Sequence, residues 1–173
     1  MFTACKRFSL AGRTRLPLAQ TVAQSSNRKS LVAKQAAISQ LRTLVVEDHK
    51  AFLDHITSML REWPNTQIVG EVQDGLQAVE RATTLQPDLI LLDIGLPGLN
   101  GIEAARRIRK FAPNARIIFL TQESSPEIVH EAFNLGASGF VSKSLCYKDL
   151  PAAIEAVLHG GRFVSTGLDG HAR

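Results

Sequence analysis

The sequence has little cysteine, with 2 cysteines among 173 residues, Cys5 and Cys146. Two cysteines this far apart form neither a disulfide framework nor a metal-ligand motif, so a reducing compartment is the default interpretation. Long hydrophobic runs are also missing. No stretch approaches the roughly 18 consecutive apolar residues of a membrane span, which argues against a transmembrane protein and against a membrane partner. The length suits one domain with a tail and is short for two full domains.

Acidic residues are missing from the first 42 positions, which contain 8 Lys and Arg and therefore carry a net charge of +8. The remaining residues contain 12 Lys and Arg and all 16 Asp and Glu, a net charge of −4. The overall net charge of +4 therefore describes a basic segment joined to a mildly acidic body. This distribution gives little support to nucleic-acid binding by the folded part.

Residues 1–40 are rich in Ser, Gln, Ala, Arg and Lys and show no strand alternation. We predict that they form a basic, disordered extension, or a segment upstream of the start that the cell uses. An organelle transit peptide and an arm for nucleic acid or a membrane surface stay open as alternatives. A secretory signal peptide fits poorly, because no apolar segment of about 7–15 residues precedes a small-residue cleavage site.

From Leu41 onward, short apolar runs alternate with amphipathic segments. The runs predict five buried strands, at Leu41–Val46, Gln67–Val72, Pro87–Leu92, Ala115–Leu120 and Ser138–Ser142. The amphipathic segments predict five helices, at Ala51–Leu60, Asp74–Leu85, Asn100–Phe111, Ser125–Gly136 and Asp149–His159. Strands without polar alternation are buried on both faces, as parallel strands covered by helices are. The expected fold is α/β, a doubly wound five-stranded parallel sheet with strand order 2-1-3-4-5.

Polar residues follow the predicted strands at the edge where such sheets bind ligands. Glu47 and Asp48 follow the first strand, Asp93 the third, Thr121 the fourth and Lys143 the fifth. Three converging carboxylates repel one another, and a hard cation such as Mg²⁺ relieves that repulsion. Together with a hydroxyl and an ammonium group, they form a site suited to a phosphoryl group.

Each of these residues also has an ordinary structural explanation. An acidic pair before a helix caps it, an acid after a strand is a common loop residue, and a lysine is most often solvated at the surface. What favours function is their joint placement at four strand ends on one edge of one sheet.

These residues lie in motifs that resemble the receiver domain of two-component response regulators, from about Leu41 to Phe163. The motifs are VVEDH (45–49), PDLILLDIGLPGLNG (87–101), IIFLT (117–121) and GFVSK (139–143). The resemblance implies a flavodoxin-like (βα)5 fold, with the receiver domain at residues 41–163 and a truncated linker or tail at residues 164–173.

The resemblance also implies a role for each site residue. Asp93 would be the phosphoacceptor, which attacks a phosphohistidine of a sensor histidine kinase. Glu47, Asp48 and Asp93 would hold Mg²⁺, with the Gly95 carbonyl as a further ligand. Lys143 would pair with the phosphoryl oxygens.

Two further residues would respond to the phosphoryl group. Thr121 would turn inward to bond it, and Phe140 would change rotamer with Thr121. The chain would then present an altered surface to a partner, with a homodimer as one outcome. Such a protein would be cytoplasmic, and it would promote only its own phosphorylation and dephosphorylation.

Several details resemble the subclass that carries a LuxR-type helix-turn-helix output domain, among them Asp48-His49, Ser144 and the closing segment 160–165. Two residues depart from the usual pattern. Lys50 stands where Pro is common, and Gln122 stands where a small residue is usual. A larger side chain at position 122 predicts slower phosphotransfer from small donors or slower dephosphorylation.

The segment after the motifs is short, so we expect either a stand-alone receiver or a truncated fragment of a transcription regulator. We expect a phosphorelay module linked to transcription regulation, with a truncated DNA-binding regulator as the alternative. Direct DNA binding through residues 1–42 would be nonspecific and is not expected. An aspartyl phosphatase is disfavoured, because the second acid that such enzymes use is replaced here by Gly95.

Overall fold

The structure, a computed structural model, describes residues 40–122 and 125–166. The extension predicted for residues 1–40 therefore lies outside the described residues apart from Gln40, and so does the end of the predicted tail, residues 167–173. Among the described residues, no helix has the length and apolar character that a membrane crossing requires.

Within the described residues, six strands alternate with five helices. The strands are β1 (Leu41–Val46), β2 (Thr66–Val72), β3 (Leu89–Asp93), β4 (Arg116–Thr121), β5 (Gly139–Ser142) and β6 (Phe163–Val164). The helices are α1 (Lys50–Arg61), α2 (Gly75–Leu85), α3 (Gly101–Phe111), α4 (Pro126–Asn134) and α5 (Cys146–Leu158). A short 3-10 turn at Lys143–Leu145 leads from β5 into α5.

All the strand pairs are parallel, and the sheet has the order β2-β1-β3-β4-β5-β6. The predicted order 2-1-3-4-5 is confirmed, but the prediction of five strands was wrong. The sixth strand pairs with β5 through Gly139 opposite Phe163 and Phe140 opposite Val164. Two residues are too few for hydrophobic periodicity to reveal, so nothing in the local pattern marked this strand.

The sheet separates two layers of buried side chains. Successive residues of a strand point to opposite faces, so neighbours such as Leu44 and Val45 enter different layers. The Leu44 layer contains the buried residues of α2, α3 and α4, and the Val45 layer contains those of α1 and α5. Burial on both faces explains the unbroken apolar runs of the central strands.

Side-chain caps begin three of the helices as the sequence predicted. The side chains of Asp74, Asn100 and Ser125 each accept a hydrogen bond from a backbone N–H three residues later, at 2.8, 2.9 and 3.4 Å. These caps satisfy donors that the first helical turn leaves free. The acidic pair Glu47-Asp48 does not cap α1, whose N-cap is His49 without a side-chain bond.

Helix α5 differs most from its prediction. It begins at Cys146, three residues before the predicted start at Asp149, and contains Pro151 in its interior. Proline is best tolerated in the first helical turn, and a start at Asp149 would have placed it there. The 3-10 turn at Lys143–Leu145 instead starts the helical path early. The predicted end of α4 at Gly136 lies two residues beyond its last helical residue, with Gly136 at φ +80°.

Candidate functional site

The carboxyl ends of β1, β3, β4 and β5 meet at one cleft of about 770 Å³. The cleft is lined by six of the seven predicted site residues: Glu47, Asp48, Asp93, Gly95, Thr121 and Lys143. This is the edge at which open parallel sheets bind ligands. The seventh residue, Phe140, does not line the cleft.

Lys143 joins the two buried carboxylates of the cleft. Its ammonium donates a hydrogen bond to Glu47 Oε1 at 2.9 Å and lies 2.8 Å from Oε2 without hydrogen-bond geometry. The same nitrogen lies 2.9 Å from Asp93 Oδ2. The side chains of Lys143, Glu47 and Asp93 are only 10, 0 and 6% exposed, so the charges interact with little screening by water.

Burial and the neighbouring charges shift the pKa values of Glu47 and Lys143. Burial raises the pKa of Glu47, and the nearby Asp93 charge raises it further, while the hydrogen bond from Lys143 opposes the rise. Burial alone would lower the pKa of Lys143, but its bonds to Glu47 and Asp93 outweigh burial and raise that pKa. Lys143 is therefore a cation at neutral pH, in direct contact with the predicted phosphoacceptor.

The backbone fixes Asp93 and Glu47 from behind. Asp93 is the last residue of β3, all five residues of which are buried, and the Gly95 N–H donates to Asp93 Oδ1 at 3.2 Å. The His49 N–H donates to Glu47 Oε1 at 3.2 Å. Gly101, the first residue of α3, lies so close that a Cβ there would stand 2.0 Å from the Asp93 carbonyl oxygen. The two carboxylates are thus set by main-chain geometry as well as by side-chain packing.

The acidic residues suit a hard divalent cation. Glu47, Asp48 and Asp93 can each offer a carboxylate oxygen, and these oxygens lie within 4.8 Å of one another. Asp48 is exposed, whereas Glu47 and Asp93 are buried. A few carboxylates at an open cleft, with space for water, is the ligand set that Mg²⁺ prefers. The structure shows the Gly95 N–H bonded to Asp93. The role of the Gly95 carbonyl as a ligand stays a prediction.

Thr121 and Phe140 lie behind the charged group. Thr121 ends β4 opposite Ser142 of β5 and is 3% exposed. Phe140 is fully buried within the α2–α4 layer, where its ring centroid lies 6.0 Å from that of Phe119. The structure therefore brings Thr121 to the cleft and leaves Phe140 in the core beside it.

Helix α1 and its N-cap residue supply cleft residues that the sequence prediction missed. His49, Phe52 and His55 line the cleft, and the ring centroids of Phe52 and His55 are 6.4 Å apart. The helical spacing of Phe52, Leu53 and Ile56 predicts that Phe52 lies on the apolar face of α1. The spacing predicted the face correctly, and Phe52 does pack against the α1–α5 layer, but it gave no sign that the ring also reaches Lys143.

The sequence of the folded part matches a known family. The family model described as the response regulator receiver domain covers residues 43–155, more than half of the chain. The chain belongs to the response regulator receiver domain family. The family resemblance inferred from the strand-end motifs is thereby confirmed.

Several curated relatives are response regulators. The chain is 30% identical over 125 residues to the response regulator GacA of Pseudomonas viridiflava, covering 72% of this chain and 58% of GacA. It is 32% identical over 125 residues to the nitrate/nitrite response regulator protein NarL of Escherichia coli, and the match covers 72% of this chain and 58% of NarL. This chain therefore spans somewhat more than half the length of these relatives.

Solved structures of receivers share the fold. A LuxR-family two-component response regulator from Aurantimonas matches with a TM-score of 0.73 and 34% identity, covering 78% of this chain and 96% of that one. The isolated receiver domain of RcsB from Salmonella enterica serovar Typhimurium, solved with a phosphomimetic, matches with a TM-score of 0.71 and 25% identity, covering 78 and 99%.

Proposed function

We propose that this receiver domain takes a phosphoryl group from a sensor histidine kinase onto Asp93 and thereby switches its surface for a partner. The observation that carries the proposal is the contact of Lys143 with Asp93 at 2.9 Å in a cleft with two more carboxylates. A buried carboxylate fixed by backbone contacts and paired with a fixed cation is ready to become a nucleophile and to keep its product neutralised.

The transfer is a substitution at phosphorus. A carboxylate oxygen of Asp93 attacks, a P–O bond forms, and the P–N bond to the donor imidazole breaks. The leaving imidazole nitrogen keeps the bonding electron pair and takes a proton from solvent. Lys143 holds the phosphoryl oxygens as negative charge passes to the Asp93 side, because its ammonium already lies beside that carboxylate.

Mg²⁺ is the proposed cofactor, held by Glu47, Asp48 and Asp93. When bound, it supplies positive charge that neutralises the phosphoryl oxygens. The Gly95 carbonyl is the proposed fourth protein ligand. The chain itself contributes the orientation of the carboxylates, through the N–H groups of His49 and Gly95.

The product changes the charge of the cleft. The phosphoryl group of an aspartyl phosphate carries up to about −2 charge and three acceptor oxygens beside Lys143 and Thr121, in place of the single negative charge of the carboxylate. The Thr121 hydroxyl turns to bond the new group, and Phe140 follows into a second rotamer. The altered surface binds a partner, with a second copy of the chain as one candidate. The protein is an enzyme only toward its own phosphorylation and dephosphorylation.

Transcription regulation is the process that we propose for the protein. The support is the LuxR-family description of a similar structure and the similarity to NarL and GacA, both of which are regulators. A DNA-binding transcription regulator is the alternative within the same class. Phosphorylation at Asp93 is common to both, so it is the property to test first.

The test is phosphorylation of the full chain by acetyl phosphate in the presence of Mg²⁺, followed by intact-mass measurement. We expect the mass to rise by one phosphoryl group, and the gain to disappear with EDTA or in Asp93→Asn. The matched control is Asp54→Asn, which removes an α1 carboxylate whose side chain is 57% exposed. A wild-type chain that gains no mass, or an Asp93→Asn chain that still does, would show the proposal to be wrong.

A further inference from the structure

The ring of Phe52 covers the ammonium of Lys143 inside the cleft. Lys143 Nζ lies 5.1 Å from the ring centroid, within the roughly 6 Å range of a cation–π contact. Phe52 is half-buried and packs against the α1–α5 layer while lining the same cleft as Asp93. Lys143 thus has three partners: two carboxylates and one aromatic face.

Helix α1 sets the position of this ring. The Phe52 N–H donates to the His49 carbonyl oxygen at 3.0 Å, in the first turn of the helix. Leu53 and Ile56 are 3 and 0% exposed and anchor the same turns of α1 to the sheet. The backbone at Phe52 is therefore held in place near the acidic pair, which His49 separates from the helix, and this anchors the base of the ring on the side of the cleft where Lys143 lies.

The two carboxylates and the ring respond differently to the proposed reaction. Asp93 loses its charge when it becomes an acyl phosphate, and Glu47 shares its charge with any cation held at the acidic group. The ionic attraction on Lys143 therefore passes from the two carboxylates to the phosphoryl oxygens during transfer. The ring of Phe52 is neutral and keeps its attraction for a cation when the ionic partners change, so it matters more to the position of Lys143 during transfer than in the resting state, where two carboxylates also hold the ammonium.

We propose that Phe52 is a positioning residue, which keeps the Lys143 ammonium over Asp93 while the carboxylates that hold it in the resting state change their charge. This inference rests on the proposed phosphoacceptor function. Phe52 acts through Lys143, the partner that its ring faces. Without the aromatic face, the ammonium is less confined while its ionic partners change, and fewer of its positions suit the incoming phosphoryl oxygens.

The first experiment compares kcat/KM for phosphorylation by acetyl phosphate in wild type, Phe52→Leu and Phe52→Trp. Leucine keeps an apolar side chain but has no π face, and we expect it to lower kcat/KM by roughly two- to thirty-fold, the range that cation–π energies span. Tryptophan, which has the strongest π face, should restore at least the wild-type value. The matched control is Phe111→Leu, at a ring that is 56% exposed on α3, and we expect it to leave the rate unchanged.

The second experiment needs no phosphodonor. A double-mutant cycle of Phe52→Leu and Lys143→Met, measured by urea unfolding of the full chain, isolates the interaction of the two side chains. We expect a coupling equivalent to roughly a two- to thirty-fold change in the unfolding equilibrium constant.

Two results would overturn the inference. One is an unchanged kcat/KM in Phe52→Leu. The other is an equal loss in the leucine and tryptophan variants together with no coupling in the cycle, because the ring would then only fill space. A wild-type chain that is not phosphorylated would instead overturn the proposed function, and with it the role of Phe52 in transfer.

Discussion

Among the described glycines, Gly101 is the position at which a single methyl group should disturb Asp93, the proposed phosphoacceptor, most. A Cβ added there would lie 2.0 Å from the Asp93 carbonyl oxygen, 2.8 Å from Ile94 Cα and 2.9 Å from the Asp93 carbonyl carbon. All three atoms are backbone, so no side chain can turn aside to make room. Gly101→Ala must therefore push the start of α3 away from the end of β3 by about an ångström.

Three contributions set the size of the effect. Overpacking that shifts backbone costs about 1–3 kcal/mol. Stretching the hydrogen bond from the Gly101 N–H to the Ile94 carbonyl oxygen, now 2.9 Å, adds about 0.5–1.5 kcal/mol. Alanine has less conformational freedom than glycine in the unfolded chain, and this stabilises the folded state by about 0.4–1 kcal/mol. The net expectation is a loss of about 2 kcal/mol in the free energy of unfolding.

The assay is urea unfolding of the full chain, with Gly95→Ala as the matched control. Gly95 flanks Asp93 on the other side, but a Cβ there would lie 3.7 and 4.0 Å from the Asp93 carboxylate oxygens, which is ordinary contact. We expect the control to unfold within about 0.5 kcal/mol of wild type. A Gly101→Ala chain as stable as wild type, or an equal loss in both variants, would refute the reasoning from backbone contact.

Three further predictions concern other parts of the described structure. Gln122 is exposed and lines the cleft, so Gln122→Ala should speed phosphorylation by acetyl phosphate or dephosphorylation; equal rates would contradict this. Burial raises the pKa of the Cys146 thiol to about 12 from 9.0. In Cys5→Ser, where Cys146 is the remaining cysteine, we therefore expect this thiol to react with thiol reagents at pH 8 only as the chain unfolds. As pH rises, the thiol loses its proton at a lower pH in the unfolded chain than in the folded chain. The free energy of unfolding should therefore fall as pH rises from about 9 toward 12, and a free energy that stays constant over this range would contradict the burial of Cys146. Arg109 donates hydrogen bonds to four backbone carbonyls of the α3–β4 and α4–β5 loops. Arg109→Met should therefore lower the free energy of unfolding in urea by about 1–3 kcal/mol. The control Arg107→Met, at a side chain that is 45% exposed, should lower it far less.

The sequence was most informative where burial was complete. Strand β3 is apolar without interruption and ends in Asp93, and both its burial and its central place follow from that pattern. Once the parallel order was predicted, the polar residues at the strand ends had to share one edge of the sheet. The carboxylate cluster and its proximity to Lys143 could therefore be predicted without knowing any side-chain rotamer.

The sequence was least informative where long-range contacts decide the structure. Strand β6 exists because Phe163 and Val164 find the free edge of β5, and the buried Ser165 reinforces this edge by accepting a hydrogen bond from the Ser142 N–H at 3.0 Å. The contact of Phe52 with Lys143 joins residues far apart in the chain. Helical spacing can assign Phe52 to a face, but only the packing of α1 against the sheet determines which cation its ring meets.

The register of β4 and β5 provides a path from the cleft to the surface. Thr121 and Phe119 are two residues apart on β4, so their side chains share one face of the sheet, and Phe119 lies opposite Phe140. The ring of Phe140 is fully buried against Phe119 and cannot change rotamer unless its surroundings move. Those surroundings include buried residues of α4 and, across the β5 edge, Val164 of β6. We therefore expect a turn of Thr121 toward a phosphoryl group to reach α4 and β6 first, and the α1 side of the sheet last.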